Sequence, residues 1–261
     1  MALWTDDFHA KGLQTEQDQF SAALAKRFPG ATSSDGSAFI KMTIERFDDG
    51  TSAVGAERQI QTLLKHYDKE GNLPPKDTPF PVGMTAAKIL KKHPDSQSID
   101  ARSFASIRGF VQYIGSILRP EVAFAASMHG QVVIPTHANW KTAIHTVGFL
   151  KATQQRKIRY RLQPPSKRNQ IEAFSDASFA DNALSRSQGG YIIFMNGGPI
   201  AWRSSCQKYV SLSTAESELG AAADCTRTIL YLRDLLAEFG SPQDRPTPLQ
   251  IDCQPAHDFI T

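Results

Sequence analysis

Cysteine is scarce: the 261 residues contain three, Cys206, Cys225 and Cys253. An odd number without CxxC spacing offers neither a disulfide framework nor a zinc cradle, so all three read as structural thiols in a reducing interior. Long apolar runs are missing as well. No stretch approaches the about 18 apolar residues that a membrane span needs, so no membrane partner is expected. The opening residues, MALWTDDFHAKG, bring acids at once and lack the apolar segment of a secretory leader. Internal repeats and low-complexity tracts are absent. What remains is ordinary globular material, 41% hydrophobic, 21% charged and 9% aromatic. That length accommodates one or two domains with sizeable cores.

A net charge of +3 conceals an asymmetry. Residues 171–261 hold 6 basic and 11 acidic side chains, a net of −5, which leaves +8 on residues 1–170. A basic portion beside one that gathers carboxylates points toward a polyanionic partner. The basic residues concentrate locally: Lys151, Arg156, Lys157, Arg159, Arg161, Lys167 and Arg168 fall within twenty residues that contain no acid, with Tyr160 among them. Two readings fit this run, a solvated helix end continuing into a linker, and a strip that contacts phosphates.

Patterning places the elements. Residues 1–12 read as a strand, a tight Asp6-Asp7 turn and a returning strand. Helical spacing covers 14–28 and 56–67, and alternation over 38–46 predicts a single strand followed by an Asp48-Asp49-Gly50 turn. Residues 71–100 read mostly as irregular. Helices follow at 103–117, 120–128 and 137–153, the last with Trp140, Ile144, Val147 and Leu150 as its apolar stripe. Beyond the basic run come a strand at 171–177 ending in a Ser-Asp-Ala turn, a strand at 190–195, an Asn196-Gly197-Gly198 hairpin turn and a partner strand at 199–204. A long helix from about 213 to 239, a short strand at 248–252 and the start of another helix complete the chain. The fold class is α/β.

Three carboxylates hold places where such folds build sites. Asp176 closes the first strand of the later portion, Asp252 closes its last, and Glu218 sits near the start of the long helix. Brought together, three carboxylates repel one another unless a divalent cation sits among them, and oxygen ligands favour Mg²⁺ or Mn²⁺ over zinc. Taken singly, Asp176 also fits a turn residue and Asp252 a helix cap. Glu216 has a structural role of its own, because Ser213-Thr214-Ala215-Glu216 has capping-box spacing. Glu218 borders the apolar stripe through Ala222 and Cys225, which leans it toward the sheet.

Several ordered motifs resemble the RNase H domain of copia-type LTR retrotransposons. Phe174-Ser175-Asp176-Ala177-Ser178-Phe179-Ala180-Asp181 is similar to that family's Ser-Asp-Ala-Asp-Trp-Ala-Gly-Asp strand end, and Arg186-Ser187-Gln188-Gly189-Gly190-Tyr191 to its Arg-Ser-Thr-Ser-Gly-Tyr stretch. Ile200-Ala201-Trp202-Arg203-Ser204 resembles Ile-Ser-Trp-x-Ser. Val210 to Leu219, Val-Ser-Leu-Ser-Thr-Ala-Glu-Ser-Glu-Leu, resembles Val-Ala-Leu-Ser-Ser-Thr-Glu-Ala-Glu-Tyr, and Asp252-Cys253-Gln254-Pro255-Ala256 stands for Asp-Asn-Gln-Ser-Ala. Upstream, Trp4-Thr5-Asp6-Asp7 falls where copia-type reverse transcriptases carry Tyr-Val-Asp-Asp. Arg119-Pro120-Glu121-Val122-Ala123 and His137-Ala138-Asn139-Trp140-Lys141 resemble later landmarks of the same family.

The resemblance implies the C-terminal part of a retrotransposon Pol polyprotein, truncated at both ends. Residues 1–165 would be an α+β palm, thumb and connection remnant, and 166–261 an RNase H-like mixed-sheet α/β domain, incomplete at its C-terminus. It implies Mg²⁺- or Mn²⁺-dependent hydrolysis of RNA in RNA–DNA hybrids, weak or absent through truncation, with Asp176, Glu218 and Asp252 as catalytic metal ligands. Asp6 and Asp7 would be a vestigial polymerase pair, without the earlier palm carboxylate that DNA synthesis needs. The alternative is a non-catalytic nucleic-acid-binding remnant. Expected partners are an RNA–DNA hybrid or other nucleic acid, other Pol fragments or a second copy, in a cytoplasmic particle or the nucleus.

Overall fold

The computed structural model describes residues 2–4, 7–9, 13–29, 37–90, 99–180 and 185–259. In chain order these form β1 (Ala2–Trp4), β2 (Asp7–His9), α1 (Gln14–Arg27), β3 (Ala38–Phe39), β4 (Met42–Arg46), β5 (Ser52–Gly55), α2 (Glu57–Tyr67), α3 (Ala86–Leu90) and α4 (Ala101–Ile117). A 3₁₀ turn (Pro120–Val122) leads to α5 (Ala123–Gly130), α6 (His137–Ala152), β6 (Lys157–Tyr160), β7 (Ile171–Ser178), β8 (Gln188–Met195), β9 (Gly198–Cys206), α7 (Thr214–Glu238), β10 (Leu249–Ile251) and α8 (Gln254–Asp258). The architecture is mixed α/β. Among the described residues no helix is long and apolar enough to cross a membrane.

β1 and β2 pair antiparallel, with Trp4 opposite Asp7. One four-stranded antiparallel sheet runs β3-β4-β5-β6. The single strand anticipated over 38–46 is instead a hairpin. Ile40 and Lys41 both take positive φ (47° and 59°), the geometry that matches a two-residue turn to strand twist, and neither residue type advertises it. A helical core builds on this sheet. α2 presents Ile60 and Leu63, α4 presents Phe104, Ile107, Val111 and Ile114, and α5 and α6 add Met128, Val147 and Leu150, all fully buried or nearly so. The anticipated stripe of α6 is only half right. Trp140 and Ile144 are half-buried, while Asn139, Thr142 and Thr146 go inside because each finds a partner there. Asn139 donates to the Ile89 carbonyl at 2.8 Å, and Thr146 donates to the Pro79 carbonyl at 2.9 Å. The stretch 71–100, read as irregular, contains α3.

The second four-stranded sheet has the order β10-β7-β8-β9, with β7, β8 and β9 antiparallel and β10 parallel to β7. The β8–β9 connection is the anticipated tight turn, with Asn196 and Gly197 at φ of 54° and 79°. α7 packs across β7 and β8, closing a core of Ile171, Ala173, Ile193, Cys225, Ile229 and Leu236. The two cores meet where Trp202 of β9 donates from Nε1 to the Gly115 carbonyl of α4 at 2.6 Å.

Candidate metal centre

Strand alternation sets the first ligand position. In β7, Ile171, Ala173, Ser175 and Ala177 are buried and Glu172, Phe174, Asp176 and Ser178 are exposed. The strand does not end in a Ser-Asp-Ala turn: it continues through Ser178, so Asp176 sits within a paired ladder rather than at a turn. Its cross-strand neighbour is Gly190, which places no side chain beside the carboxylate. Register then brings in the second. Ile251 of the parallel β10 pairs with Ser175, so Asp252, one residue further, leaves the strand level with Asp176. Asp252 does not cap α8, whose N-cap is Cys253.

Glu218 arrives from the first turns of α7. Ser213 caps the helix by accepting from the Glu216 amide at 3.1 Å. The reciprocal half of the anticipated box is displaced by one residue: Glu216 accepts from the Leu212 amide at 2.6 Å, not from Ser213. The outcome for Glu216 is still a structural role at the helix entry. Two residues on, Glu218 turns inward and is only 3% exposed. Gly220 permits close approach nearby, since a Cβ there would fall 1.7 Å from the Tyr209 hydroxyl oxygen.

One carboxylate oxygen from each of Asp176, Glu218 and Asp252 lies within 4.8 Å of the others, the one such group among the described residues. Burial and the adjacent Asp176 and Asp252 charges push the Glu218 carboxyl up to about 7, opposed by a hydrogen bond from the Ala177 amide. Its Oε2 is buried without a hydrogen-bond partner. A buried carboxylate with one oxygen lacking any donor, meeting two further carboxylates, fits a divalent cation of the Mg²⁺ or Mn²⁺ type.

The seven basic residues divide: Arg156, Lys157, Arg159 and Arg161 line one cleft, and Lys151, Lys167 and Arg168 lie outside it. Lys151 at the end of α6 pairs with Asp68 at 2.7 Å and donates to the carbonyls of Gly71 and Leu73. Lys157 pairs with Glu45 and, at 3.0 Å, with Glu57. The local run lacks acids, yet β4, α2 and the segment after it deliver them from elsewhere in the chain. Arg156 stacks over Phe149 and lies 4.0 Å from Glu121, and Arg159 stacks over Phe47. Arg161, Lys167 and Arg168 are exposed, Arg168 donating to the Gln163 carbonyl at 3.3 Å. Tyr160 is turned inward and donates to the Pro199 carbonyl. Asp7 lies in β2, and Asp6 lies outside the described residues. Cys225 is buried in the second core, where burial pushes its thiol up to about 12, in keeping with an inert packing role.

No protein-family model matches the chain. Among curated proteins, 133 residues are 30% identical to secreted RxLR effector protein 161 of Plasmopara viticola, covering 49% of this chain and 90% of that protein. A match of 26% identity over 176 residues joins it to the retrovirus-related Pol polyprotein from transposon RE2 of Arabidopsis thaliana, covering 67% of this chain. Another, 25% over 191 residues and 72% of this chain, joins it to the corresponding polyprotein from transposon TNT 1-94 of Nicotiana tabacum. The aligned parts make up only 12% and 14% of those two polyproteins.

Proposed function

The chain belongs to the same family as the Plasmopara viticola protein and is a retroelement-derived homologue of retrovirus-related Pol polyproteins, and on that footing we propose that its carboxylate centre is a divalent-metal site of the RNase H type, acting on RNA in RNA–DNA hybrids. The observation that carries the reading is the convergence of the Asp176, Glu218 and Asp252 carboxylates, with Glu218 buried and its Oε2 unpartnered. The strand order, three antiparallel strands flanked by a parallel β10 with α7 across them, supports an RNase H-like arrangement.

Asp176, Glu218 and Asp252 would hold Mg²⁺ or Mn²⁺. When bound, such an ion supplies a concentrated positive charge that acidifies water and offsets charge on a phosphodiester. The chain's own contribution is positional. Asp176 lies in β7 and Asp252 directly follows the parallel β10 beside it, so the sheet register sets their separation. Glu218 is held by α7 and by the Ala177 amide, and its desolvation makes an ionised carboxylate costly until a cation is present. Gly190 keeps the space opposite Asp176 open for the sugar–phosphate strand. Discrimination of RNA from DNA would depend on the 2′-hydroxyl.

The test is cleavage of a labelled RNA–DNA hybrid with Mg²⁺ or Mn²⁺ and with chelator. Metal-dependent cleavage by the parent chain, lost in Asp176→Asn and Glu218→Gln, supports the reading. Binding without cleavage by a folded parent chain under both metals would refute it in favour of the non-catalytic remnant.

A further inference from the structure

A cleft of about 530 Å³ opens far from the carboxylates, where the outer edge of β6 meets the β8–β9 turn and the Arg119-Pro120 junction. Its lining includes Arg119, Arg156, Lys157, Arg159 and Arg161 against a single carboxylate, Glu121, together with Gly197, Gly198 and Pro199 at the β8–β9 turn. The cleft is a built feature. The Arg161 amide donates to the Asn196 carbonyl at 2.8 Å and the Tyr160 hydroxyl to the Pro199 carbonyl at 2.9 Å, which fixes β6 against the turn. Gly198 is required there, because a Cβ would lie 2.7 Å from the Tyr160 ring and 2.8 Å from the Arg159 carbonyl.

Not every cation at this wall has charge to spare. Arg119 is buried, pairs with Glu121 at 2.7 Å and donates to the Thr153 carbonyl and hydroxyl. Lys157 is compensated by Glu45 and Glu57. Arg156, Arg159 and Arg161 remain, all exposed, with Arg156 4.0 Å from the Glu121 carboxylate that Arg119 already engages. The first two are held upright by stacking, Arg156 at 5.6 Å from the Phe149 ring centroid and Arg159 at 5.5 Å from that of Phe47. Stacked guanidiniums keep their donors free at their edges, the geometry that suits phosphate oxygens.

We propose that the cleft beneath Arg156, Arg159 and Arg161 is a backbone-phosphate site for a nucleic-acid strand. Its separation from the carboxylates supports a duplex over a small anion. Asp176 pairs with Gly190, and the cleft's Gly198 pairs with Met195, five residues further along the same strand, so the two sites stand roughly 17 Å apart at about 3.4 Å per residue. A duplex bridges that span with about five base pairs. The choice of nucleic acid rests on the hydrolase reading above, but the site itself does not use the carboxylates. Lys151, Lys167 and Arg168 do not line it.

The experiment is hybrid binding by fluorescence anisotropy in chelator, where no metal-dependent cleavage occurs, across a range of salt concentrations. The failure of this site is thereby separated from the failure of the metal centre. The combined Arg156→Ala, Arg159→Ala and Arg161→Ala variant should flatten the slope of log K against log salt by about two to three units. Removing an equal charge from α2 and the turn after it, through Arg58→Ala, Lys65→Ala and Lys69→Ala, should leave the slope within half a unit of the parent, about half the effect of one lost phosphate contact. The triple Arg→Lys variant separates charge from packing: it should retain most of the slope while losing affinity. A folded triple-alanine variant with the parent's slope, or a slope lowered equally by both alanine sets, would overturn the assignment.

Discussion

Glu218→Gln should stabilise the metal-free protein above neutral pH, although it removes a residue from the middle of the candidate site. The carboxyl titrates near 4.5 in the unfolded chain and at about 7 in the folded one. A raised folded value means that the native state holds its proton longer than the unfolded state does. Stability therefore falls as pH rises between about 4.5 and 7 and is flat beyond. At about 1.36 kcal/mol per pH unit over this window, the ionised side chain costs the apo fold at most about 3 kcal/mol. Glutamine keeps the shape without the charge, so the variant's advantage should grow through that window and level off near pH 7. For a chain of this size the plateau corresponds to about 6–12 °C in melting temperature. A divalent cation narrows this gap and closes it only above roughly 150 times its dissociation constant. At ten times its dissociation constant it should stabilise the parent by about 1.4 kcal/mol, and the variant should gain little. Thermal melts at pH 4.5 and 8, in chelator and in Mg²⁺ or Mn²⁺, read all four combinations. A variant that melts no higher than the parent at pH 8 in chelator, or gains equally from metal, would refute the reasoning.

Other expectations follow from buried groups. His129 is fully buried, and Thr146, whose hydroxyl proton goes to the Pro79 carbonyl, accepts from its Nε2, leaving Nδ1 unprotonated and without a partner. Burial pushes this imidazole down to about 4, so the native state resists protonation, and stability should drop by about 3 kcal/mol as pH falls from 6.5 to 4. His129→Gln should flatten that acid limb in urea titrations, and an unchanged limb would remove His129 as its cause. Arg119→Ala should cost about 1–3 kcal/mol, chiefly by leaving the Thr153 carbonyl and hydroxyl without their donor, since Glu121 is exposed and keeps Arg156 nearby, whereas no measurable loss would show these acceptors to be solvated. Phe104→Ala and Ile193→Ala should each cost about 2–5 kcal/mol in chemical denaturation, with little collapse expected around sites this enclosed.

Local signals carried much of the chain by themselves. Helical spacing marks α2, α4 and α7 to within a few residues, because an apolar stripe at a 3.6-residue period has few other uses. Asn196-Gly197-Gly198 forms its turn because positive φ is cheap for those residues. Glu218's inward lean follows from its place beside Ala222 and Cys225 on one helix face, and its burial agrees. Other features depend on partners distant in sequence. Ile40 and Lys41 take a conformation that no propensity favours, where the β3–β4 ladder closes around them. Asn139, Thr142 and Thr146 enter the core because carbonyls from residues 79 and 89, or from their own helix, meet them there. The convergence of Asp176 with Asp252 is a matter of register: a shift of one residue in the β10–β7 pairing would carry Asp252 out of level with Asp176. The basic run shows the same division most plainly. Its charge is written in consecutive residues, but Asp68 takes Lys151 and Glu45 and Glu57 take Lys157, and only folding brings those acids within reach. Sequence fixes which charges exist; long-range packing decides which of them are left for a partner, because Coulombic compensation depends on distance in space and not along the chain.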